Sequence, residues 1–480
     1  MTEPLLQYLV RGQQALDAGH PSEAVLAFQA ALQQAPDQLG VAFALANAQR
    51  LADDVVGART TLVSASRQRP TTDIALDFQF GVALLDVGAA REAAAAFTRV
   101  MRARPHDPAP IGALAGARRA AGDPAAAWTF IVDALRRAPE QPAFLLTAAQ
   151  IRHDLADVNG ALDYLDRAER VRPGHQATRL QRAYTTLLKG PSREGWTQFE
   201  SRALPVPRTS ARAWHGESLA NASILVTAEQ GLGDQFQFVR FVRRLAAFSP
   251  SRVIVECHPH ARALLVASGL DAVARGDAPE TDWHVPMLSL PHRLLLDLDV
   301  DGALVPYLTT APNASRPLNT RDPSRPLHLG IAWAGNPAFA GHATRDFDRA
   351  LLPSLLSISH VRWQSLQQGD LSTKETLTFG AHALEPAPVL GDWSETAAQL
   401  GSLDGLVTTD TGIAHLAGAM GVPTWVLLQH VPDWRWGLHS TTTPWYPSLR
   451  LVRQTSPGDW SSVVAQLAES VSHLARSRSA

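Results

Sequence analysis

Apolar and small residues recur in the N-terminal part of the chain with a period of 34 or 35 residues. In each period an alanine lies twelve residues before a proline, and a large apolar residue lies eight residues before the same proline. The alanines are Ala24, Ala58, Ala93, Ala127 and Ala161, the apolar residues are Phe28, Leu62, Phe97, Ile131 and Leu165, and the prolines are Pro36, Pro70, Pro105, Pro139 and Pro173. Five such periods predict a solenoid of paired helices. The alanine allows two helices to cross closely, and the proline ends the second helix of each pair.

The repeated pattern resembles the tetratricopeptide repeat, and three glycines mark the expected turn between paired helices, namely Gly19, Gly88 and Gly122. A sixth, degenerate repeat is predicted over about 176–204, with its turn at Gly190 and its second helix around Trp196 and Phe199. We interpret these two aromatic residues as core or docking residues. The predicted solenoid covers 1–203 and presents a concave surface to a peptide or a partner protein.

Beyond an extended connector at 204–222, strand and helix patterns alternate. Strands are expected at 223–228, 252–257, 282–285, 327–332, 361–366, 403–407, 424–428 and 449–453. Helices are expected at 234–248, 260–268, 288–296, 351–358, 394–400, 413–420 and 460–475. This alternation predicts parallel sheets with helices on both faces. A Pro- and Asn-rich linker at 311–326 separates halves at 223–310 and 327–480, and ligands should bind in a cleft beyond the carboxyl ends of the strands.

One turn in this region has the features of an anion site. The expected strand at 403–407 leads into Asp410, Thr411 and Gly412, and then into a helix of small residues that carries His415 in its first turn. The first N–H groups of a helix have no partner within it, and the helix dipole favours negative charge there. His415 could donate to the same anion. The structural alternative is an ordinary strand–turn–helix unit in which Asp410 or Thr411 caps the helix.

A second glycine turn follows the expected strand at 223–228 and reads GLGD from Gly231 to Asp234. Gly231 and Gly233 would allow the backbone to approach a ligand closely, although such turns are equally common for structural reasons. The turn lacks the third glycine of G-x-G-x-x-G and the G-K-[ST] of a phosphate-binding loop. A dinucleotide site and a nucleoside-triphosphate loop are therefore disfavoured.

Three motifs, GLGD at 231–234, GIAWAGNP at 330–337 and DTGIAHLAGAMG at 410–421, resemble those of bacterial heptosyltransferase-type glycosyltransferases. The chain resembles more closely the bacterial proteins that join tetratricopeptide repeats to such a domain, because DWRWGL at 433–438, with PWYP and PGDW further on, is similar to their C-terminal signature. The combination of tetratricopeptide repeats with a transferase-like domain is also similar to that of the eukaryotic O-linked N-acetylglucosamine transferase. The resemblance implies a GT-B fold of two Rossmann-like halves, with the acceptor bound by the first half and the nucleotide sugar mainly by the second.

The resemblance also implies a metal-independent, inverting enzyme that uses a nucleotide sugar as substrate and needs no cofactor. Departure of the sugar leaves negative charge on the diphosphate, which helix N–H groups and fixed donors must neutralise. Thr411, Gly412 and His415 are expected to supply these donors, whereas Asp410 is expected to shape the turn or contact ribose. By the resemblance, Asp234 is the general base that deprotonates the acceptor hydroxyl. Its structural alternative is to cap the following helix.

Three further candidates for binding the nucleotide sugar are Asn336, Arg345 and Gln367. Asn336 could reach a phosphate or organise its turn, and Gln367 could contact the base or ribose or simply be solvated. Related domains carry Asn-Asp-Arg-x-Arg-Ser after the GNP loop, whereas this chain reads GHATRDFDRA at 341–350. Arg345 or Arg349 could still serve the diphosphate, but the missing serine leaves the type of donor open.

The composition of the chain limits the kinds of partner that we expect it to bind. The formal net charge of −2 gives no electrostatic reason to expect nucleic acid or an anionic membrane. Cys257 is the only cysteine, which excludes an intrachain disulfide and a multi-cysteine metal site, and no D-x-D motif follows the first strands, so no metal is expected. The N-terminus lacks a signal-peptide pattern, and no apolar run approaches the ~18 residues of a membrane span. We therefore expect a cytoplasmic protein.

These sequence patterns suggest three candidate functions. The first is a glycosyltransferase that moves a sugar to a hydroxyl of Ser or Thr in a protein held by the repeats, with flagellin a candidate acceptor by analogy. The second is a repeat scaffold whose transferase-like half has lost activity and only binds, which the altered stretch at 345–350 favours. The third is a heptosyltransferase acting on lipopolysaccharide, against which the solenoid and the lack of a basic membrane-facing patch both weigh.

Overall fold

The computed structural model describes residues 3–68, 73–204, 209–295, 305–310, 325–335, 345–369, 377–379 and 382–479. Asn336 and most of the expected linker at 311–326 lie outside these residues. The described chain divides into two compact units, the first within Met1–Gln181 and the second beginning at Arg182.

The first unit consists of paired helices joined by short turns. In chain order they are α1 (Glu3–Asp17), α2 (Pro21–Gln34), α3 (Leu39–Leu51), α4 (Val55–Gln68), α5 (Ile74–Asp86), α6 (Ala90–Ala103), α7 (Pro108–Ala120), α8 (Pro124–Arg137), α9 (Pro142–Asp154) and α10 (Val158–Val171). Helix α11 (Gln176–Leu188) contains the boundary between the units, and α12 (Arg193–Phe199) follows it in the second unit.

The periodic residues make the contacts that their spacing predicts. All five repeat alanines are 0 % exposed, and the five large apolar residues are at most 3 % exposed. Helix α2 ends at Gln34, two residues before Pro36. A Cβ at Gly12 would lie 2.5 Å from the Phe28 ring, so α1 and α2 pack closely at this point. The helical repeat solenoid predicted for the N-terminal part is confirmed.

The turn between paired helices requires a residue in the left-handed conformation. Its φ is +76° at Gly19, +74° at Gly88 and +84° at Gly122. Asp53 and Ala156 take the same place in the second and fifth repeats, each with φ of 60°. This conformation is unfavourable for a residue with a Cβ, so the packing of the flanking helices maintains the turn in repeats that lack the glycine.

The described residues of the second unit form two sheets. Its strands are β1 (Arg212–Ala213), β2 (Ser223–Thr227), β3 (Arg252–Cys257), β4 (Ala272–Ala274), β5 (Trp283–Pro286), β6 (Leu327–Ala332), β7 (Val361–Ser365), β8 (Leu377–Phe379), β9 (His382–Glu385), β10 (Gly405–Thr409), β11 (Thr424–Leu428) and β12 (Leu449–Arg453). Its further α-helices are α13 (Leu232–Phe238), α14 (Arg262–Ala267), α15 (Leu290–Arg293), α16 (Leu352–Leu356), α17 (Trp393–Ser402), α18 (Gly412–Met420) and α19 (Trp460–Ser479). Short 3₁₀ segments are Val239–Phe248, Pro259–Ala261, Met287–Ser289, Arg349–Leu351 and Trp434–Trp436.

The strand order shows where a ligand would bind. Among the described residues, one sheet has the order β1-β5-β2-β3-β4 and the other β12-β11-β10-β6-β7-β9-β8. The pairs are parallel except β8 with β9. Apart from the edge strands β1 and β8, chain order runs outward in both directions from one point in each sheet, between β5 and β2 and between β10 and β6. Ligands bind beyond the carboxyl ends of strands at such points, and both glycine turns lie there.

The structure departs from the expected elements in two ways. The helix expected over 234–248 is α13 followed by the 3₁₀ segment Val239–Phe248. Strands β1, β4, β8 and β9 had no counterpart among the expected elements, since each has four residues or fewer and is too short for a periodic apolar pattern. The region of parallel sheets predicted after the repeats is confirmed.

Candidate functional site

The glycine turns after β2 and β10 contact each other. A Cβ at Gly233 would lie 2.9 Å from Cδ2 of His415 and 3.4 Å from Cα of Gly412. A Cβ at Gly412 would lie 3.6 Å from the backbone nitrogen of Gly233. A side chain at position 233 would therefore push the two turns apart. The first turn of α13, which follows a strand of one sheet, meets the first turn of α18, which follows a strand of the other sheet.

Asp234 lies in the first turn of α13 and has two partners. Its Oδ2 accepts a hydrogen bond from the N–H of Gly231 at 3.0 Å, which caps the helix. Its Oδ1 accepts from Nη2 of Arg435. Burial raises the pKa of the Asp234 carboxyl, while the charge of Arg435 opposes that rise. The capping role is thus present in the structure, and it leaves Oδ1 of the carboxylate to the guanidinium of Arg435.

Arg435 lies between carboxylates and is 9 % exposed. Its Nη1 donates to Oδ1 of Asp433 at 2.8 Å, and its Nε donates to Oε1 of Gln237 at 2.7 Å. The guanidinium lies over the Trp434 ring, 4.2 Å from the ring centroid. Together with the bond to Asp234, these contacts join the segment after β11 to α13.

Arg345 provides a second guanidinium in the same cluster. Its nitrogens lie 3.4 Å from Oδ2 of Asp410 and 3.4 Å from Oδ2 of Asp433. Burial raises the pKa of Asp410, against the opposing charge of Arg345. Burial would also raise the pKa of Asp433, but Arg435 and Arg345 together hold it below its usual value. The cluster therefore contains two guanidinium groups and three carboxyl groups, counting Asp234.

His415 is buried in the first turn of α18. Its Nδ1 lies 3.0 Å from the Tyr446 hydroxyl, and its ring stacks on Trp436 with 5.2 Å between centroids. Burial lowers the pKa of His415 to about 3, and the charge of Arg435 adds to that effect. The imidazole is consequently neutral at neutral pH, so it can act on an anion as a neutral N–H donor and not as a cation.

The N-terminus of α18 has no side-chain cap among the described residues. Thr411 has the backbone conformation of an N-cap, but its hydroxyl contacts Oγ1 of Thr408 at 3.2 Å and the carbonyl of Thr409 at 3.3 Å. Asp410, Thr411 and Gly412 are all partly exposed. The first N–H groups of α18 therefore lie at the surface of the site without a carboxylate or hydroxyl cap.

Gln367 is buried at the carboxyl end of β7. Its Oε1 accepts from the N–H groups of Trp333 and Ala334 at 3.1 and 3.0 Å, and its Nε2 donates to the Ala334 carbonyl at 3.1 Å. The side chain organises the segment after β6, so a contact to a base or ribose would compete with these bonds. Asn336 follows that segment and lies outside the described residues.

Of the predicted site residues, the structure brings Gly231, Gly233, Asp234, Arg345, Asp410, Thr411, Gly412 and His415 into one region, and their roles in binding stay predictions. Sequence reasoning missed Asp433, Tyr446 and Gln237. The alternation of charge and tryptophan in DWRWG, in a loop after a buried strand, was the available signal. Gln237 and Tyr446 carry no local signal, because their partners are distant in sequence.

Among the residues that the structure describes, no three His, Cys, Asp or Glu side chains are arranged to hold a metal ion. Within the same part of the chain, no helix is both long enough and apolar enough to cross a membrane.

The fold and the site define a helical repeat protein joined to a unit of parallel sheets. The family model described as tetratricopeptide repeat matches residues 15–76, and the N-terminal part carries such repeats. Protein FlbA of Caulobacter vibrioides is 25 % identical to this chain over 408 residues, which cover 74 % of this chain and 65 % of FlbA. The chain thus spans just under two-thirds of the length of FlbA.

Solved structures also show similarity. MamA from Desulfovibrio magneticus RS-1 is 17 % identical, with a TM-score of 0.30, over 36 % of this chain and 96 % of that one. YrrB, described as a TPR protein with an unusual peptide-binding site, is 15 % identical, with a TM-score of 0.29, over 36 % of this chain and 88 % of that one.

Proposed function

We propose that the second unit is a GT-B glycosyltransferase, and that it transfers a sugar from a nucleotide-sugar donor to a hydroxyl, on Ser or Thr of a protein recruited by the repeats. One observation carries the proposal. Two glycine turns, each at the point of a parallel sheet where ligands bind, meet with a partly buried carboxyl on one side and an uncapped helix N-terminus on the other.

The proposed reaction needs one base and one anion site. The acceptor oxygen forms a bond to the anomeric carbon, and the bond from that carbon to the phosphate oxygen breaks. Asp234 takes the proton of the hydroxyl, and the nucleoside diphosphate leaves with the electron pair. The N–H groups of Thr411 and Gly412 and the neutral His415 stabilise the charge on the departing diphosphate. A base in a buried position with a raised pKa is suited to accept that proton.

The repeats suggest a role in binding other proteins. In this proposal they hold the acceptor protein, and flagellin remains a candidate on analogy alone.

A second candidate is a repeat scaffold whose sheet unit binds a nucleotide sugar without transfer. The ion pair of Asp234 with Arg435 favours it, because a carboxylate paired with a guanidinium is a weak base.

The test separates binding from turnover in the full-length protein. Nucleoside diphosphates are screened for binding by calorimetry, and the matching nucleotide sugars are screened for hydrolysis and for transfer to protein acceptors by mass spectrometry. We expect Asp234→Ala to abolish turnover while nucleotide binding persists, and Asp271→Asn, at an exposed Asp–Arg pair of the same unit, to change neither. Binding without turnover in the unaltered protein would favour the scaffold, and wild-type turnover in Asp234→Ala would exclude Asp234 as the base.

A further inference from the structure

We propose that Arg435 binds the diphosphate of the donor. Before the donor binds, Arg435 pairs with Asp234 and weakens this carboxylate as a base; the diphosphate then replaces Asp234 as the partner of Arg435. The inference rests on the proposed function and assigns to the same site a binding residue that exchanges partners. It follows from how the charges of the cluster are shared.

Asp433 stands between the two guanidinium groups of the cluster. It accepts from Arg435 at 2.8 Å and lies 3.4 Å from Arg345. A carboxylate and a phosphate group both present two oxygens to a guanidinium, so two arginines that share one carboxylate are also placed to share a diphosphate. The uncapped N-terminus of α18 begins at Gly412, two residues after Asp410, the other carboxyl beside Arg345.

The cluster already holds more carboxyl groups than guanidinium groups. Three carboxyl groups, from Asp234, Asp410 and Asp433, face Arg345 and Arg435. An incoming dianion would find both guanidinium groups already engaged by carboxyl groups, unless one of these gives up its arginine. Binding of the diphosphate therefore requires an exchange of partners within the cluster.

Asp234 is the carboxylate that can lose its arginine and still be held in position by another contact. Asp433 is held by the backbone N–H of Arg435 at 3.1 Å as well as by its side chain, so it stays with the loop. Asp234 belongs to α13, and its Oδ2 is fixed by the N–H of Gly231. When Arg435 turns away, this bond keeps the carboxyl in place, and the Oδ1 that faced Arg435 becomes free to accept a proton.

The exchange couples donor binding to the strength of the base. A paired guanidinium stabilises the charged carboxylate and weakens it as a proton acceptor. Once Arg435 is held by the diphosphate, Asp234 is a stronger base. The acceptor hydroxyl is then deprotonated only in a complex that already contains the donor.

The experiment measures competition between Asp234 and an anion for Arg435. Inorganic pyrophosphate is titrated by calorimetry into the full-length protein and into Asp234→Asn, which keeps the size of the side chain and an oxygen for Gly231. We expect Asp234→Asn to bind pyrophosphate at least about fivefold more tightly, the lower end of typical coupling between sites. Asp271→Asn, at the exposed pair with Arg252, is the matched control and should leave the affinity unchanged.

The same substitution made in the Arg435→Gln variant separates the exchange of partners at Arg435 from a general loss of negative charge. In Arg435→Gln, the further change Asp234→Asn should give no gain, because the contested guanidinium is missing. An equal gain in both backgrounds, or no gain in either, overturns the inference. Thermal unfolding of each variant identifies any that fail to fold, and Arg435→Lys then replaces Arg435→Gln.

Failure of the proposed function has a different signature. If no nucleoside diphosphate binds to the unaltered protein, the donor site is wrong and the inference falls with it. If nucleoside diphosphates bind and Asp234→Asn gives no gain for pyrophosphate, the transferase proposal stands and Arg435 is not the exchanging residue.

Discussion

The buried imidazole of His415 should make the second unit less stable in mild acid. Burial lowers its pKa to about 3, whereas an unfolded histidine titrates near 6.5. Between these values the unfolded state binds more protons than the folded state, so the free energy of unfolding rises with pH. The contribution of His415 is thus present above about pH 6.5 and is lost as the pH falls toward 3. From pH 7 to pH 5 the loss is about 2 kcal/mol, and the side chain is too well buried for solvent to screen much of it, at 5 % exposed.

Urea unfolding of the unaltered protein and of His415→Gln, each at pH 7 and at pH 5, isolates this effect. Trp128 alone among the twelve tryptophans precedes Arg182, so tryptophan fluorescence follows mainly the second unit. The packing lost in His415→Gln lowers the free energy of unfolding equally at both pH values. Loss of the titrating imidazole instead changes the difference between the free energies of unfolding at pH 7 and at pH 5. We expect that difference to shrink by about 2 kcal/mol in His415→Gln and to be unaffected by His439→Gln, at an exposed histidine. An unchanged difference in His415→Gln would show that His415 titrates near its ordinary pKa, and the view of it as a neutral donor would fail.

Two further predictions concern packing around the site. Gly418→Ala should lower the free energy of unfolding by about 1–3 kcal/mol, because its Cβ would lie 2.5 Å from the ring of Tyr446; urea midpoints measure this, and an unchanged midpoint would mean that the ring moves aside freely. Glu229→Gln should cost about 1–3 kcal/mol, since the buried Arg202 loses the carboxylate that binds its Nη2 at 2.7 Å and its Nε at 2.9 Å and keeps only Glu200, which accepts from its Nη1 at 2.8 Å, as a charged partner. In the same assay the exposed change Asp271→Asn should cost at most about 1 kcal/mol, and equal costs for the two would contradict the assigned burial.

The repeats were predictable because each contact that defines them lies within one or two periods. Ala24 and Phe28 are one helical turn apart, and both are buried where helices of the same repeat cross. The left-handed turns at Asp53 and Ala156 were not predictable from residue type, because the conformation there is imposed by the helices on either side. Local pattern therefore located the helices, and tertiary packing determined the conformation of two of the turns.

The site was predictable only up to the two glycine turns. Each turn is read from a strand, a glycine and a following helix, all within a short stretch of sequence. The contact between them is not local, since Gly233 and His415 come from different sheets. The pairing of Asp234 with Arg435 is likewise a product of that contact, and it changes the chemistry expected of the carboxylate. A motif thus identified a candidate base without revealing that the base is paired.

Helix α12 of the second unit packs against the loop that carries Arg435. Trp196 of α12 packs edge-on against Trp434, with 5.4 Å between ring centroids, and Trp434 in turn lies under the guanidinium of Arg435. After the end of α12, Arg202 pairs with Glu229, which lies just beyond β2. Removal of α12 would expose the face of Trp434, and loss of Arg202 would leave Glu229 buried without its guanidinium, an arrangement that costs several kcal/mol. Helix α12 therefore supports the loop that places Arg435, so changes at Trp196 should alter anion binding even though this residue lies outside the two glycine turns.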